Sequence, residues 1–232
     1  VTSSGNTWNN DKQDDSFWGA KIDWNITENH LLEYTGFSDK RETLAWQGDY
    51  DHTTGVISDV NDPSVSERGG KNHSLKYTGY ITDDFTISAL WGKNDADKTD
   101  SSPNDTACPT IYDNRAGNWV PMGCWSTWMP AAGNDSREAF RIDGEYVLDD
   151  HLLRFGYDKE VMTATESSFL SGGVYYAYFN SEQQGGSING VAFDEATDIV
   201  RVRHRTIGGE FDTISQAFYV EDVWTISDEL TA

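Results

Sequence analysis

Four short phrases in this sequence are near-copies of one another: Trp24-Asn25-Ile26-Thr27-Glu28-Asn29-His30-Leu31, Tyr80-Ile81-Thr82-Asp83-Asp84-Phe85, Tyr146-Val147-Leu148-Asp149-Asp150-His151-Leu152 and Trp224-Thr225-Ile226-Ser227-Asp228-Glu229-Leu230. Each runs from an aromatic through an aliphatic to a few small or acidic residues, then restarts on an apolar one. A tight turn between two alternating segments is a hairpin signal. The turns fall near 27–30, 83–84, 149–150 and 227–229, at widening intervals. Short turns at one end and lengthening connections at the other fit an antiparallel up-and-down β-barrel that crosses a membrane.

Period-two alternation supports those turns. Trp18, Ala20, Ile22, Trp24 and Ile26 share one face of a strand, and Lys21, Asp23 and Asn25 the other; a return strand runs from Leu31 to about Trp46. Leu75, Tyr77, Gly79 and Ile81 alternate with Lys76, Thr78, Tyr80 and Thr82, and Phe85, Ile87, Ala89 and Trp91 continue the pattern beyond the turn. Phe140, Ile142, Tyr146 and Leu148 oppose Arg141, Asp143 and Glu145, while Leu153, Phe155 and Tyr157 oppose Arg154 and Asp158. The last strand spans Ile214 to Ile226. Residues 1–15 are polar with no period. Three stretches read as long outer loops, 47–70, 93–136 and 166–212; within the last, two β-rich pieces, 173–179 and 199–207, flank a Gln-Gly-Ser turn and read as an extra hairpin. The 232 residues thus read as one all-β domain of seven main strands and the stub of an eighth.

The formal net charge is −22, which makes nucleic acid a poor partner because phosphate backbones are repelled. Disordered acidic chains lack aromatics, whereas this one is 13% Phe, Trp and Tyr, so it reads as folded. No stretch approaches the roughly 20 apolar residues that a spanning helix needs. The longest such run is Val174 to Phe179. A barrel escapes that test, since its strands alternate. The chain begins at Val1 with no signal peptide, which reads as a mature chain or a piece of one.

Alternation alone fits two solvents. In a soluble sandwich the apolar faces pack together; in a membrane barrel they meet lipid and the charged faces line a lumen. Three features favour the barrel. Aromatics Trp24, Tyr80, Phe85, Tyr146 and Trp224 cluster near the turns, where an interfacial girdle would lie. The strands exceed the ~5–6 residues usual in soluble sheets. Loop length is one-sided. A mean hydropathy of −0.64 stands against it, and long acidic loops account for that value.

The last strand carries a family resemblance. Gln216-Ala217-Phe218-Tyr219-Val220-Glu221-Asp222-Val223-Trp224-Thr225-Ile226-Ser227-Asp228-Glu229-Leu230-Thr231 resembles a phrase recurrent in TonB-dependent outer-membrane receptors, and Phe17-Trp18-Gly19-Ala20-Lys21-Ile22-Asp23-Trp24-Asn25-Ile26-Thr27 is similar to strands of their Oar-like branch. The resemblance implies a Gram-negative outer-membrane location and a barrel segment of an active-uptake receptor. It also implies ligand capture by the outer loops, and a plug moved by the TonB system so that the ligand passes. The Oar-like branch leans towards peptide or protein ligands. The sequence holds no plug, no TonB-contacting box and no terminal aromatic, and seven strands cannot close an up-and-down barrel. The expectation is therefore an internal piece, about a third of a barrel. The outer-membrane lipid, the TonB system through the missing plug and an unidentified extracellular ligand are the partners implied. Two rival readings remain: a secreted soluble β-sandwich that binds carbohydrate, and a passive porin.

No catalytic motif stands out, so no enzyme activity and no cofactor are expected. Cys108 and Cys124 lie in a loop rich in Pro, Asn, Asp and Gly, which points to a disulfide and an oxidising compartment rather than two buried thiols. The same loop carries Tyr112, Trp119, Trp125 and Trp128, which either grip a peptide or sugar or pack a small core of the loop itself. Arg201, Arg203 and Arg205 alternate along one strand, and either contact an anionic ligand or balance the surplus carboxylates. The acidic run Asp95 to Asp100 lacks the Gly and the final Glu of an EF-hand and reads as a solvated loop, and no metal site is expected.

Overall fold

The computed structural model describes residues 2–4, 6–193 and 197–232; residues 194–196, inside the expected third loop, and residues 1 and 5 of the polar leading segment lie outside the described residues. The described chain is all-β apart from two short 3-10 turns. In order come β1 (Thr2–Ser4), β2 (Thr7–Asp15), β3 (Trp18–Thr27), β4 (His30–Ser38), β5 (Arg41–Asp51), β6 (Val56–Ser58), β7 (Ser64–Tyr80), β8 (Phe85–Ser101) and the short β9 (Thr110–Asp113) and β10 (Val120–Met122). Then follow β11 (Ala131–Leu148), β12 (His151–Phe169), β13 (Tyr175–Asn180), β14 (Ser187–Ile188), β15 (Val191–Ala192), β16 (Asp198–Arg203), β17 (Thr206–Ser227) and β18 (Leu230–Thr231).

The long strands form one antiparallel meander, in which each pairs with the next along the chain. β2 with β3, and β4 with β5, are two long strands each broken once. With β7, β8, β11, β12 and β17 they make seven, and β18 begins an eighth. The sheet does not close on itself: among the described residues, β3 and most of β17 keep one edge unpaired.

The repeated phrase explains the short turns. The amide of Asn29 donates to Thr27 Oγ1 (3.2 Å), that of Asp84 to Thr82 Oγ1 (3.3 Å) and that of Glu229 to Ser227 Oγ (3.3 Å). A hydroxyl that bonds the amide two residues on mimics a backbone turn. The third copy has Leu148 at that place, and there Asp149 turns the chain with a φ of +51°. Positive φ is tolerated by Asp more readily than by most residues.

At their far ends the strands run on into segments expected as loops. β5 and β7 occupy much of 47–70, β8 and β11 reach deep into 93–136, and β12 and β17 into 166–212. The polar segment 7–15 is itself a strand, paired with β5 from Thr7↔Asp49 to Asp15↔Arg41. The run Asp95 to Asp100 lies inside β8, not in a loop. The reason is common to all of them. Here both faces of the sheet are largely polar, so no alternation marks the strand, and ladder hydrogen bonds with cross-strand ion pairs such as Arg41–Asp15 and Arg68–Asp100 hold it.

A line of breaks divides the sheet. Ser16 and Phe17, Asp39 and Lys40, and Gly69 and Gly70 face one another between the paired stretches of β2–β3, β4–β5 and β7. Gly69 has a φ of +82°, and a Cβ on Gly70 would lie 1.7 Å from the Asp95 carbonyl oxygen, so only glycine fits this crossing. Asp39 ties the line together: its amide donates to Gly70 O, and its carboxylate accepts from the Gly70 amide (2.9 Å).

The long connections build a cap rather than a lone hairpin. β13 pairs antiparallel with β16, as the β-rich pieces of the third loop suggest, but it also pairs in parallel with β9 of the second loop. With β10 they form a four-stranded sheet.

Candidate functional site

Register puts opposite chemistries on the two faces of the main sheet. One face, read across the strands in rows from the turn end upward, carries Leu148, His151 and Trp224; then Phe85, Tyr146 and Leu153; then Ile87, Phe155 and Val220; then Leu32, Tyr77, Ile142 and Phe218; then Tyr34, Leu75, Trp91 and Phe140. From Leu148 to Phe140 the band is about 27 Å along a strand at ~3.4 Å per residue. A tilt of about 35–45° reduces it to roughly 20 Å, close to the ~25 Å apolar belt of a transmembrane barrel. Lys159 and Gln216 lie in the uppermost row, and Asp222 near the lowest. Above, the same face turns to Lys93, Asp95, Ser136, Glu138, Thr163 and Asp212.

At the top of this band the polar heads point upward. Tyr34 reaches up to His73 Nδ1 (2.8 Å), and Trp91 Nε1 donates up to Glu138 Oε1 (2.9 Å). Lower down the heads pair within the band: Tyr77 bonds His30 Nδ1 (2.7 Å) in the middle row, and His151 stacks on Trp224 and bonds Asp222 one row above it (2.9 Å). At the upper rim, then, amphipathic rings turn their polar heads towards the polar strand ends.

Among the described residues, no second layer covers the band. Phe218 is 79% exposed and Val220 82%. Among the described residues, every buried hydrophobic side chain belongs to the cap or the segments leading to it: Cys108, Leu170, Val174, Tyr175, Ala177 and Phe179. A sandwich would bury those rows against a partner sheet.

The opposite face is ionic and internally paired. Glu33 sits between Lys21 and Lys76 (both 3.6 Å); Arg141 holds Asp143 (2.7 Å); Arg154 spans Glu145 (2.9 Å) and Glu221 (3.6 Å). Tyr219 donates to Asp143 Oδ1 (2.6 Å) across the intervening strand β12. It can do so because residue 156 is glycine: a Cβ there would lie 2.4 Å from the Tyr219 ring and 2.6 Å from that oxygen. Higher up, Arg68 pairs with Asp100, Arg137 with Glu160 and Lys98 with Asp135 on the same face.

The cap gathers the candidate loop residues. A disulfide joins Cys108 to Cys124. Tyr112 is the hub of an aromatic cluster, with Trp125 at 5.2 Å, Trp119 at 5.7 Å and Tyr175 at 6.1 Å, and Trp119 packs edge-on to Phe179. Trp125 Nε1 donates to Ile111 O (3.2 Å). Tyr112 and Trp125 thus build the cap's own core, beside Leu170, Tyr175, Ala177 and Phe179. Trp119 and Trp128 keep about half their surface in solvent. Burial pushes the Tyr112 and Tyr175 phenols up, and the charges of Arg201 and Arg203 partly offset this at Tyr175.

The three arginines divide. Arg201 lies over the Phe179 ring (4.5 Å to its centre), whereas Arg203 and Arg205 line a cleft of about 510 Å³ with Trp128, Tyr175 and His204. Sequence reasoning missed Arg115, which clamps β9 to β16 through Asp113 (2.7 Å) and Asp198 (3.0 Å). That clamp holds the Asp113 carboxyl down at about 2. Only the spacing Asp113-x-Arg115 hinted at it. Among the described residues, no three His, Cys, Asp or Glu side chains gather to hold a metal ion.

The sequence matches no protein-family model and no curated protein. The fold is similar to the crystal structure of the outer membrane transporter YddB from Escherichia coli, with a TM-score of 0.38 and 9% identity, over 93% of this chain and 36% of that one.

Proposed function

We propose that the chain is part of the wall of an outer-membrane transporter barrel, with its cap facing outward as a ligand-catching element. The observation that carries this reading is the bare apolar band, topped by ring heads that point to the polar strand ends and backed by a paired ionic face. Soluble monomers rarely leave so large an apolar patch uncovered. Hydrocarbon on one side and water on the other satisfy both faces at once. The turns then lie on the periplasmic side, and the cap and polar strand ends stand in the external medium. In the finer reading, a TonB-dependent receptor of a Gram-negative cell supplies a plug beyond these residues, the lumen face contacts it, and the energised plug lets a bound peptide or protein through. Such uptake would stop when the inner-membrane proton gradient is dissipated, which separates it from a passive porin.

Nitroxide scanning in lipid vesicles tests the placement. Single cysteines are introduced along β11 and β12 with the native disulfide intact. We expect oxygen, which concentrates in hydrocarbon, to reach labels at Ile142, Tyr146 and Phe155, and a water-soluble nickel complex to reach those at Arg141, Glu145 and Arg154. The alternation should vanish beyond Glu138 and Val161, where both faces are wet. Equal oxygen access on the two faces of the lower strands would end the proposal.

A further inference from the structure

β16 is an edge strand. Among the described residues it pairs with β13 alone, so its other side offers a row of free backbone donors and acceptors. Such an edge is a template for another strand unless something blunts it, and no proline or bulge does so here. Val200 and Val202 stand about half exposed on it. Two adjoining clefts of about 510 Å³ each run beside the edge and share Val202 and Arg203. One continues to Phe179 and Phe193, the other to Trp128, Tyr175 and Arg205. Each is of the size that holds a small ligand or a few residues of chain.

The charge in these clefts is selective. The chain has 39 carboxylates against 17 lysines and arginines, yet among the described residues no carboxylate lines either cleft. Arg41, Arg68, Arg115, Arg137, Arg141 and Arg154 are each ion-paired. Arg203 and Arg205 form no ion pair with a described residue. Guanidinium groups only donate, and their fork fits a carboxylate. Around Trp128 the side chains offer donors and apolar surface but no acidic or amide acceptor. Sugar hydroxyls need acceptors as well as donors, so a carbohydrate is the poorer match.

We infer that the β16 edge captures an extended peptide by strand addition, with a peptide carboxylate held by Arg203 and Arg205 and apolar side chains seated against Trp128 and Val202. Main-chain bonds to the edge supply affinity, and the clefts supply the choice of side chain and terminus. This deepens the reading of the cap as the ligand-catching end, and names a carboxylate-bearing peptide as its ligand.

Fluorescence anisotropy on the whole chain in detergent micelles tests it. The probe is a fluorescein-labelled hexapeptide of alternating threonine and valine that ends in leucine with a free carboxyl. Its comparators are the same peptide as a C-terminal amide, a version N-methylated at alternate residues, and galacturonic acid trimer. Loss of a charge-assisted contact should weaken the amide about tenfold or more relative to the free acid. N-methylation should abolish binding, and the double variant R203Q/R205Q should bring the acid down to the amide's affinity while leaving the amide unchanged. Equal binding of acid and amide, unimpaired binding of the N-methylated peptide, insensitivity to R203Q/R205Q, no binding of the free acid, or binding of the trimer in its place would each overturn the inference. The assay does not depend on bilayer placement: a failed nitroxide pattern with intact peptide capture removes the membrane reading alone, and the reverse removes this one alone.

Discussion

At the scale of single residues, much of the ionic face turns on what is missing at position 156. Tyr219 and Asp143 belong to strands that do not touch, and their hydrogen bond crosses β12 only over a glycine. Gly156→Ala would put a methyl group into the Tyr219 ring, so either the ring or the strand must move. Overpacking, together with loss of a charge-assisted hydrogen bond, costs on the order of 2 kcal/mol. Gly92→Ala on the same face is the control, since its nearest neighbour would be His73 O at 3.7 Å. The expected outcome is a lower urea midpoint in micelles for Gly156→Ala and an unmoved one for Gly92→Ala. Equal midpoints would show that Tyr219 reaches Asp143 by some other route. Nothing in the sequence marked Gly156 apart from its fellows, because its role depends on a partner 63 residues away in the chain.

At the scale of elements, legibility followed the solvent. The lower half of each strand separates apolar from ionic faces, so Phe140 against Arg141 and Phe155 against Arg154 announce the strand, and Thr27, Thr82 and Ser227 announce the turns. The upper halves lie above the line of breaks through Gly69 and Gly70, are polar on both faces, and read as loops. The parallel pairing of β9 with β13 was hidden for another reason: two short segments from separate connections meet, and neither one's pattern names the other. The cysteines were legible, because a polar loop is a poor place for free thiols. Their bond constrains a loop with a sequence separation of 16, and closure of such a loop contributes about 3 kcal/mol in the chain-entropy picture. Replacing both cysteines by serine should therefore loosen the cap alone. Limited proteolysis should cut within 109–123 faster, while the infrared amide band of the main sheet stays as it was. Cleavage at an unchanged rate would place the cap's stability in the Tyr112 cluster instead.

At the scale of the whole molecule the decisive quantity is the unpaired edge. β11 and β12 are bonded along both sides, but β17 is bonded along one side for most of its 22 residues, and only its last turn meets β18. Phe218 and Val220 belong to the apolar band, so this edge passes through the layer assigned to hydrocarbon. There an unsatisfied backbone group costs several kcal/mol, and an open sheet edge is not tolerated. On the proposed membrane placement, the band and the edge together call for further strands alongside β17, and by the same argument alongside β3. Hydrogen exchange reads this directly. With the chain alone, monomeric in micelles, amides of β11 and β12 should exchange slowly throughout, while those of β17 facing away from β12 exchange fast. Adding the neighbouring strands, from the same barrel or from a second copy, should bring the β17 amides to the rate of β12. If the β17 amides of the monomer were already as slow as those of β12, the edge would be satisfied without a neighbour, and the sheet would not be a segment of anything wider.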